Sequence, residues 1–394
     1  MDSLKKLYRI GNGPSSSHTM GPKKAAEIFL NKNKNANHFK VNLYGSLAAT
    51  GKGHLTDQVL IDCLGEDTQV LFYPDIIKEK HANALEFFAY DKEDKLIDNW
   101  LVYSVGGGEI EDDNLLYSDD VVIYKQKSMA EILDYCNQKN YSLYDYVLEN
   151  EKDILDYLNI VFNQMIACVE QGLINSGVLP GILKVKRRAN VAYNKYLQTK
   201  DINMLIFASA LAAAEENAGG AVVVTAPTCG ACGVIPGIVY AFFREGLYTK
   251  DELVAALAVA GLIGNLAKQN ASISGAEVGC QGEVGVACSM AAALVTHLKG
   301  GTNSQIEYAA EIALEHHLGM TCDPVNGYVQ IPCIERNALA SKTAIACSEY
   351  ALMTDGSHYV SLDKVIESMA QTGKDLKNAY KETSLGGLAK NVSC

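Results

Sequence analysis

The chain has 394 residues, of which 48% are hydrophobic and 20% charged, a balance that suits a folded globular protein and excludes a disordered one. A formal net charge of −12 excludes nucleic acid and anionic membrane surfaces as partners, because both would repel it. That length exceeds what one ordinary core fills, so two domains are expected. Met1 to Leu7 holds no apolar run, so no secretory leader is expected and a cytoplasmic, reducing location follows. Eleven cysteines in such a compartment argue against a disulfide framework and leave the question of which thiols are more than core residues.

In chain order, the first part alternates short β-like runs with helical stretches. A helix is expected from Gly21 to Asn31, and strands at Lys40–Gly45, Thr68–Tyr73, Leu85–Tyr90 and Asp120–Tyr124, rich in β-branched and aromatic residues. Gly106-Gly107-Gly108 reads as a turn between two strands, since no helix follows to make it a phosphate cradle. Residues 1–127 are thus expected to form an α+β domain. From residue 128 the pattern turns helical, giving a larger all-α domain over 128–394. Ser128 and Ser142 are placed to cap helices, the second running from Asp145 to Gln171, and Arg187-Arg188 stands at a turn-to-helix junction. The most membrane-like stretch, Leu253–Leu266, falls short of the ~20 residues a bilayer needs and is interrupted by Gly261 and Gly264, so a buried Ala-rich helix is expected. Four Gly-punctuated loops break the helical half: 225–237, 270–285, 319–335 and the tail after Ser384. Loops on a rigid scaffold are where chemistry is usually carried.

Three constellations stand out. Gly13-Pro14-Ser15-Ser16-Ser17-His18-Thr19 concentrates hydroxyl donors ahead of a helix, an arrangement that suits either a carboxylate site or a Ser-rich cap. Thr50-Gly51-Lys52-Gly53-His54 lacks P-loop spacing, which leaves His54 as a general base or a polar loop residue. Cys280, Cys322 and Cys333 each occupy a Gly- or Pro-bearing loop. Their wide spacing does not match the close pairs of a structural zinc site; it suits three thiolates on a cubane, or three buried core cysteines.

These segments, with Leu183–Ala189, Ala226-Pro227-Thr228, Ser272–Glu283 and Thr321–Ala340, resemble the iron–sulfur-dependent L-serine dehydratases (L-serine ammonia-lyases), in the single-chain form that joins a β domain to an α domain. The resemblance covers nearly the whole chain, in the family's order. It implies a [4Fe-4S] cluster on Cys280, Cys322 and Cys333, and an active site between the domains where the first closes over the cluster. It implies L-serine as substrate, pyruvate and ammonia as products, and a homodimer. His54 and His18 become candidates for base or proton relay, with Lys268 a further alternative. Ser15, Ser16, Ser17 and Thr19, with Thr228, Asn270, Ser272 and Ser274, are candidates for holding the substrate's carboxylate and amine. Cys394, beyond a Gly386-Gly387 hinge, is a candidate ligand for an iron left open by the other three.

The chain departs from the family at Thr228-Cys229-Gly230-Ala231-Cys232-Gly233, where relatives often read Pro-Thr-Asn-Gly-Ala. The C-x-x-C pair here allows a metal or redox role, against small-residue packing. Cys63, Cys136, Cys168, Cys288 and Cys347 lie in apolar stretches and are expected in cores. Pyridoxal phosphate, the other route to this chemistry, needs a Schiff-base lysine with a phosphate cradle, and no such set is found. Competing readings are a related lyase acting on L-cysteine or L-threonine, and a non-catalytic iron or oxygen sensor.

Overall fold

In the computed structural model, which describes residues 1–113 and 122–392, the β-like runs of the N-terminal part assemble into one sheet. Its strands are β2 (His38–Tyr44), β3 (Gln69–Tyr73), β4 (Asn83–Tyr90), β5 (Leu96–Gly106) and β6 (Glu109–Asp112), after a short β1 (Ile10–Asn12) that lies elsewhere. The order is β3–β2–β4–β5–β6. Only β2 and β3 are parallel, joined by a crossover through α2 (Gly45–Thr50) and α3 (Thr56–Leu64). On β4, Leu85, Phe87 and Ala89 are buried while Glu86, Phe88 and Tyr90 are partly exposed, the period of two that a one-sided sheet requires. The buried side packs on α1 (Gly21–Lys32) through Ala25, Ala26 and Phe29. The Gly106–Gly108 turn closes the β5–β6 hairpin, as its composition suggests.

Helices dominate the rest of the described chain: α4 (Met129–Lys139), α5 (Leu143–Asn150), α6 (Ile154–Ile174), α7 (Ala189–Thr199), α8 (Ile202–Ala218), α9 (Val234–Arg244), α10 (Lys250–Asn270), α11 (Gly275–Val278), α12 (Val286–Leu298), α13 (Asn303–Glu315), α14 (Cys333–Leu352), α15 (Leu362–Asp375) and α16 (Gly387–Asn391). The architecture is therefore an α+β sheet unit followed by a larger helical one. Ser128 and Ser142 cap α4 and α5, their side chains accepting from the Glu131 and Asp145 amides. Helices α10 and α12 are apolar around nearly their whole circumference and run through the centre of the helical core. No helix among the described residues is long and apolar enough to cross a membrane.

Three expectations at the element level change. The helix expected over Asp145–Gln171 is two, α5 and α6, because Glu151 between them turns its carboxylate inward. That carboxylate accepts from the Leu4 amide at 3.0 Å and the Tyr124 hydroxyl at 2.9 Å, and also from Ser3. The run Asp120–Tyr124 holds no strand in its described part, Val122–Tyr124; Asp120 and Val121 lie outside the described residues. The amides of Ile123 and Tyr124 both donate to the Met1 carbonyl instead, and Tyr124 is buried in the helical core. Strand β5, the longest of the sheet, has no counterpart among the expected strands; its outer half is largely exposed, Leu96 and Ile97 included.

The N-terminus has an unexpected position. Met1, Leu4, Leu7 and Tyr8 belong to the helical core rather than to the sheet unit. Gly261 on α10 makes room for them: a Cβ there would stand 2.9 Å from Leu4 Cδ1 and from Tyr8 Cε2. β1 then pairs antiparallel with β7 (Val222–Val224), so the chain is tied into the helical unit before it builds the sheet.

Candidate active site

Of two π-helical turns, Ser16–Met20 ahead of α1 carries Ser16, Ser17, His18 and Thr19, and Gln281–Gly285 ahead of α12 follows Cys280 and carries Glu283. Turns of this wide kind are rare and re-aim side chains. The first is knitted internally: Ser15 Oγ accepts from the His18 amide at 3.1 Å, and Thr19 Oγ1 from the Ser15 amide at 3.2 Å. Thr19 Oγ1 donates in turn to the His54 carbonyl at 2.8 Å. Thr56 Oγ1 donates to the His18 carbonyl at 2.6 Å. These crosslinks stack the two imidazoles with centroids 4.4 Å apart, both rings fully buried.

The ring nitrogens are assigned by their partners. His54 Nδ1 lies 2.9 Å from the Thr50 carbonyl, an acceptor, and so carries a proton; Nε2 is the nitrogen left without a hydrogen-bond partner. His18 Nε2 lies 3.2 Å from the Ser46 carbonyl and is likewise the protonated nitrogen, leaving Nδ1 to accept from Ser17 Oγ at 3.0 Å. Burial pushes the His18 imidazole down to about 4, against the opposing pull of Glu382, so this ring is neutral at pH 7.

Glu382 joins the pair from the other end of the chain. Its Oε1 is 3.5 Å from His54 Nε2 and 3.7 Å from His18 Nδ1. It is delivered by a strand-like register against Cys322. The Cys322 amide donates to the Tyr380 carbonyl, and the Glu382 amide to the Cys322 carbonyl, each at 2.9 Å. Burial disfavours its charged form, but the imidazoles of His18, His54 and His81 outweigh that and hold the carboxyl below its usual range. Among the described residues, His18, His54 and Glu382 alone bring three metal-capable His, Cys, Asp or Glu atoms within 4.8 Å of one another.

Cys280, Cys322 and Cys333 meet on the helical side. Burial pushes all three thiols up, Cys280 to about 11, and Cys322 and Cys333 are raised further by the neighbouring sulfurs. Arg336 is drawn to them: despite burial, its guanidinium is held more firmly charged by Cys280 and Cys333. It donates to the Thr321 carbonyl at 2.7 Å and to Asp323 at 3.1 Å, which fixes the loop bearing Cys322. Glu283 stands between the halves. Its Oε1 accepts from Thr228 Oγ1 at 2.8 Å and its Oε2 is 3.7 Å from Cys322 Sγ. Burial, then the Glu382 charge, pushes its carboxyl up to about 8. A small enclosed cavity is bounded by Ser15, His54, Glu283, Cys322, Cys333 and Glu382. Contact between the halves is close enough that a Cβ on Gly53 would lie 2.5 Å from the Gly327 backbone, which is why glycine precedes His54.

The remaining candidates divide. Ser16, Ser17 and Thr19 are buried within the π turn, and Thr228 is held against Glu283. Ser274 is buried with an unpartnered hydroxyl, and Ser272 accepts from the Ser274 amide and donates to Glu277. Asn270 is exposed and donates to the Lys127 carbonyl at 2.8 Å. Lys268 forms ion pairs with Glu109 at 3.1 Å and Asp2 at 3.5 Å. Neither Asn270 nor Lys268 borders the cavity. Cys394 lies outside the described residues. Cys229 and Cys232 are buried separately, the first with Sγ 3.9 Å from Met20 Sδ, the second 3.7 Å from the Ala213 carbonyl. Cys136, Cys168, Cys288 and Cys347 are buried as expected, while Cys63 is half-buried at the rim of the sheet unit's core.

Glu382, Glu283, Arg336 and Ser46 are not singled out by the sequence, although the first three lie in or beside its Gly-punctuated loops. A carboxylate inside a Gly-flanked loop was the available signal.

Residues 3–68 match the family described as the serine dehydratase beta chain, and residues 66–389 the family described as the serine dehydratase alpha chain. The chain is 41% identical to L-serine dehydratase 1 of Escherichia coli, with all of both chains covered. It is 42% identical to the L-serine dehydratase of Streptomyces coelicolor over 98% of each chain, and 39% identical to that of Helicobacter pylori over 100% of this chain and 99% of the relative. Carrying the beta-chain and alpha-chain regions in one polypeptide, the chain belongs to the serine dehydratase family.

Proposed function

We propose that the protein is an iron–sulfur-dependent L-serine dehydratase that converts L-serine to pyruvate and ammonia in the cytoplasm. The observation that carries this reading is the convergence of His54, Glu382, Glu283 and two of the three loop cysteines on one enclosed cavity. The names of the relatives support L-serine as the substrate.

The donor set fits a [4Fe-4S] cluster held by Cys280, Cys322 and Cys333. Cys280 and Cys322 are buried and Cys333 half-buried, the charges of the three thiols act on one another, a fixed guanidinium stands beside them, and three sulfurs around one zinc would lie roughly 3.8 Å apart. The three thiols are not drawn within 4.8 Å of one another as a single ion's ligands would be, and this supports a multi-iron group. When bound, such a cluster supplies a Lewis-acidic iron toward the substrate hydroxyl.

The chain's own residues do the rest. His54 borders the cavity, and its Nε2, which has no hydrogen-bond partner, is the base for the Cα proton. Glu382, whose Oε1 lies 3.5 Å from that same Nε2, stabilises by its charge the imidazolium that forms. His18, kept neutral by burial, positions the ring stacked on it and the Ser15–Thr19 turn. Ser15 faces the substrate carboxylate, and Glu283 and Glu382 face its ammonium. The aminoacrylate released tautomerises and hydrolyses in water.

The test is pyruvate release from L-serine by protein purified without oxygen, beside its His54→Asn variant. The variant is expected to keep the wild-type visible absorption and iron content while losing about 10²–10⁴-fold in turnover. Equal turnover would overturn the assignment of the base. L-cysteine or L-threonine turned over faster than L-serine would move the substrate assignment, and a brown protein inert toward all three would indicate a sensor.

A further inference from the structure

The helical unit holds a second concavity, of about 570 Å³, between α13, α14 and the loop ahead of α15. Its floor is acidic. Glu307, Glu311 and Glu315 follow one another at i, i+4 and i+8 along one face of α13. Glu307 is satisfied: it accepts from the Leu362 amide at 2.7 Å and pairs with His358 Nε2 at 2.7 Å. Glu311 is satisfied only in part. It is 2% exposed, borders the cavity and shares a hydrogen bond with Glu315, but its Oε1 has no hydrogen-bond partner. A buried carboxyl oxygen left unpaired costs about 1–3 kcal/mol, so the site is poised for a donor.

The walls say which kind. Tyr308 and Tyr350 meet edge to face at 6.0 Å, Tyr308 stacks on His358 at 4.3 Å, and Tyr359 stands fully in solvent at the rim. Ile312, Ala346 and Val360 add apolar surface between the rings and the carboxyls. Aromatic faces over a carboxylate floor attract organic cations. A bare metal ion is less well served, since these groups do not bring three ligand atoms within 4.8 Å. Among the described residues that border the cavity there is no lysine or arginine to fill the role internally.

We propose that this cavity binds a protonated primary amine on a short apolar stem, with Glu311 and Glu315 as counter-charges and the tyrosines as walls. The same chemistry is offered by a free amine and by a lysine side chain of a second copy of this chain. Burial and the adjacent Glu315 carboxyl push Glu311 up to about 8, with Glu307 adding to the effect. An incoming ammonium therefore displaces a proton. The other titratable groups around Glu311 are Cys347 and Tyr350 from α14, Tyr308 and His316 on α13, and His358 and Tyr359 from the loop.

The experiment is calorimetric titration of the full chain with n-butylammonium chloride, with 1-butanol as the uncharged isostere. Sedimentation is run in parallel with and without the amine. Saturable binding of the amine and not the alcohol is expected, weakened at least about tenfold in Glu311→Gln. Below pH 8 the affinity should increase by up to about tenfold for each unit by which the pH is raised, since binding releases the Glu311 proton. Glu315→Gln, at an exposed position, serves as a second variant if Glu311→Gln disturbs folding. An unchanged mass identifies a free-amine site, and an oligomer that the amine dissociates identifies a lysine from a second copy. Equal binding of alcohol and amine, or equal affinity in both variants and wild type, overturns the proposal.

Discussion

A single oxygen, Oε1 of Glu382, stands 3.5 Å from His54 Nε2 and 3.7 Å from His18 Nδ1, between two rings stacked at 4.4 Å. Replacing the charge while keeping the shape separates its electrostatic part from its packing. Glu382→Gln is expected to lower kcat for L-serine by about 10²-fold and to raise KM as well, because the developing imidazolium and the substrate ammonium both lose a counter-charge. A melting temperature close to wild type, measured on the same preparation, shows that the fold is intact. A drop in melting temperature with kcat preserved would make Glu382 a packing residue.

The C-x-x-C pair is buried in two separate environments, Cys229 against Met20 and Cys232 against the Ala213 carbonyl. Burial holds both thiols well above their ordinary range, unlike thiols poised to react. Cys229→Ala and Cys232→Ala should each cost about 1 kcal/mol of stability through the small voids they leave. Iron content and pyruvate release should stay unchanged. Iron lost from either variant would return these residues to the ligand set.

Anchoring of the N-terminus can be tested by a pair of substitutions. Leu4 is completely buried against α10, where the space left by Gly261 receives it. Leu4→Ala should destabilise by about 2–5 kcal/mol, and Gly261→Ala, which overpacks the same contact, by about 1–3 kcal/mol. The double variant should lose less than the two together, because the added methyl group enters the space that Leu4 vacates. Strict additivity in denaturant unfolding would show that the two sites do not meet.

Stability should depend on pH through Glu311. Its carboxyl is raised from 4.5 to about 8, so between those values the folded chain keeps a proton that the unfolded chain has lost. The contribution is fully present below pH 4.5 and is lost as pH rises through 8. The melting temperature of wild type should therefore fall relative to Glu311→Gln as pH rises from 5 to 8.5. Parallel profiles of the two proteins would place the proton elsewhere.

The sequence by itself was enough for the features written in short-range pattern. The sheet strands at Gln69–Tyr73 and Asn83–Tyr90, helix α1, the caps at Ser128 and Ser142, and the buried character of Leu253–Leu266 all follow from neighbours within a few residues of one another. The serine turn, the two histidines and the three loop cysteines were legible as well, because residue type and loop setting mark them locally. Tertiary structure decided what no window contains. Glu382 reaches His18 across most of the chain, through a backbone register with Cys322, and nothing near it in sequence signals a histidine partner. The break at Glu151 depends on an N-terminal segment that folds back into the helical core, and the dropped candidates Lys268 and Asn270 are engaged by Asp2, Glu109 and Lys127. Which nitrogen of each imidazole carries its proton was settled by backbone carbonyls that only the folded chain brings within hydrogen-bonding reach.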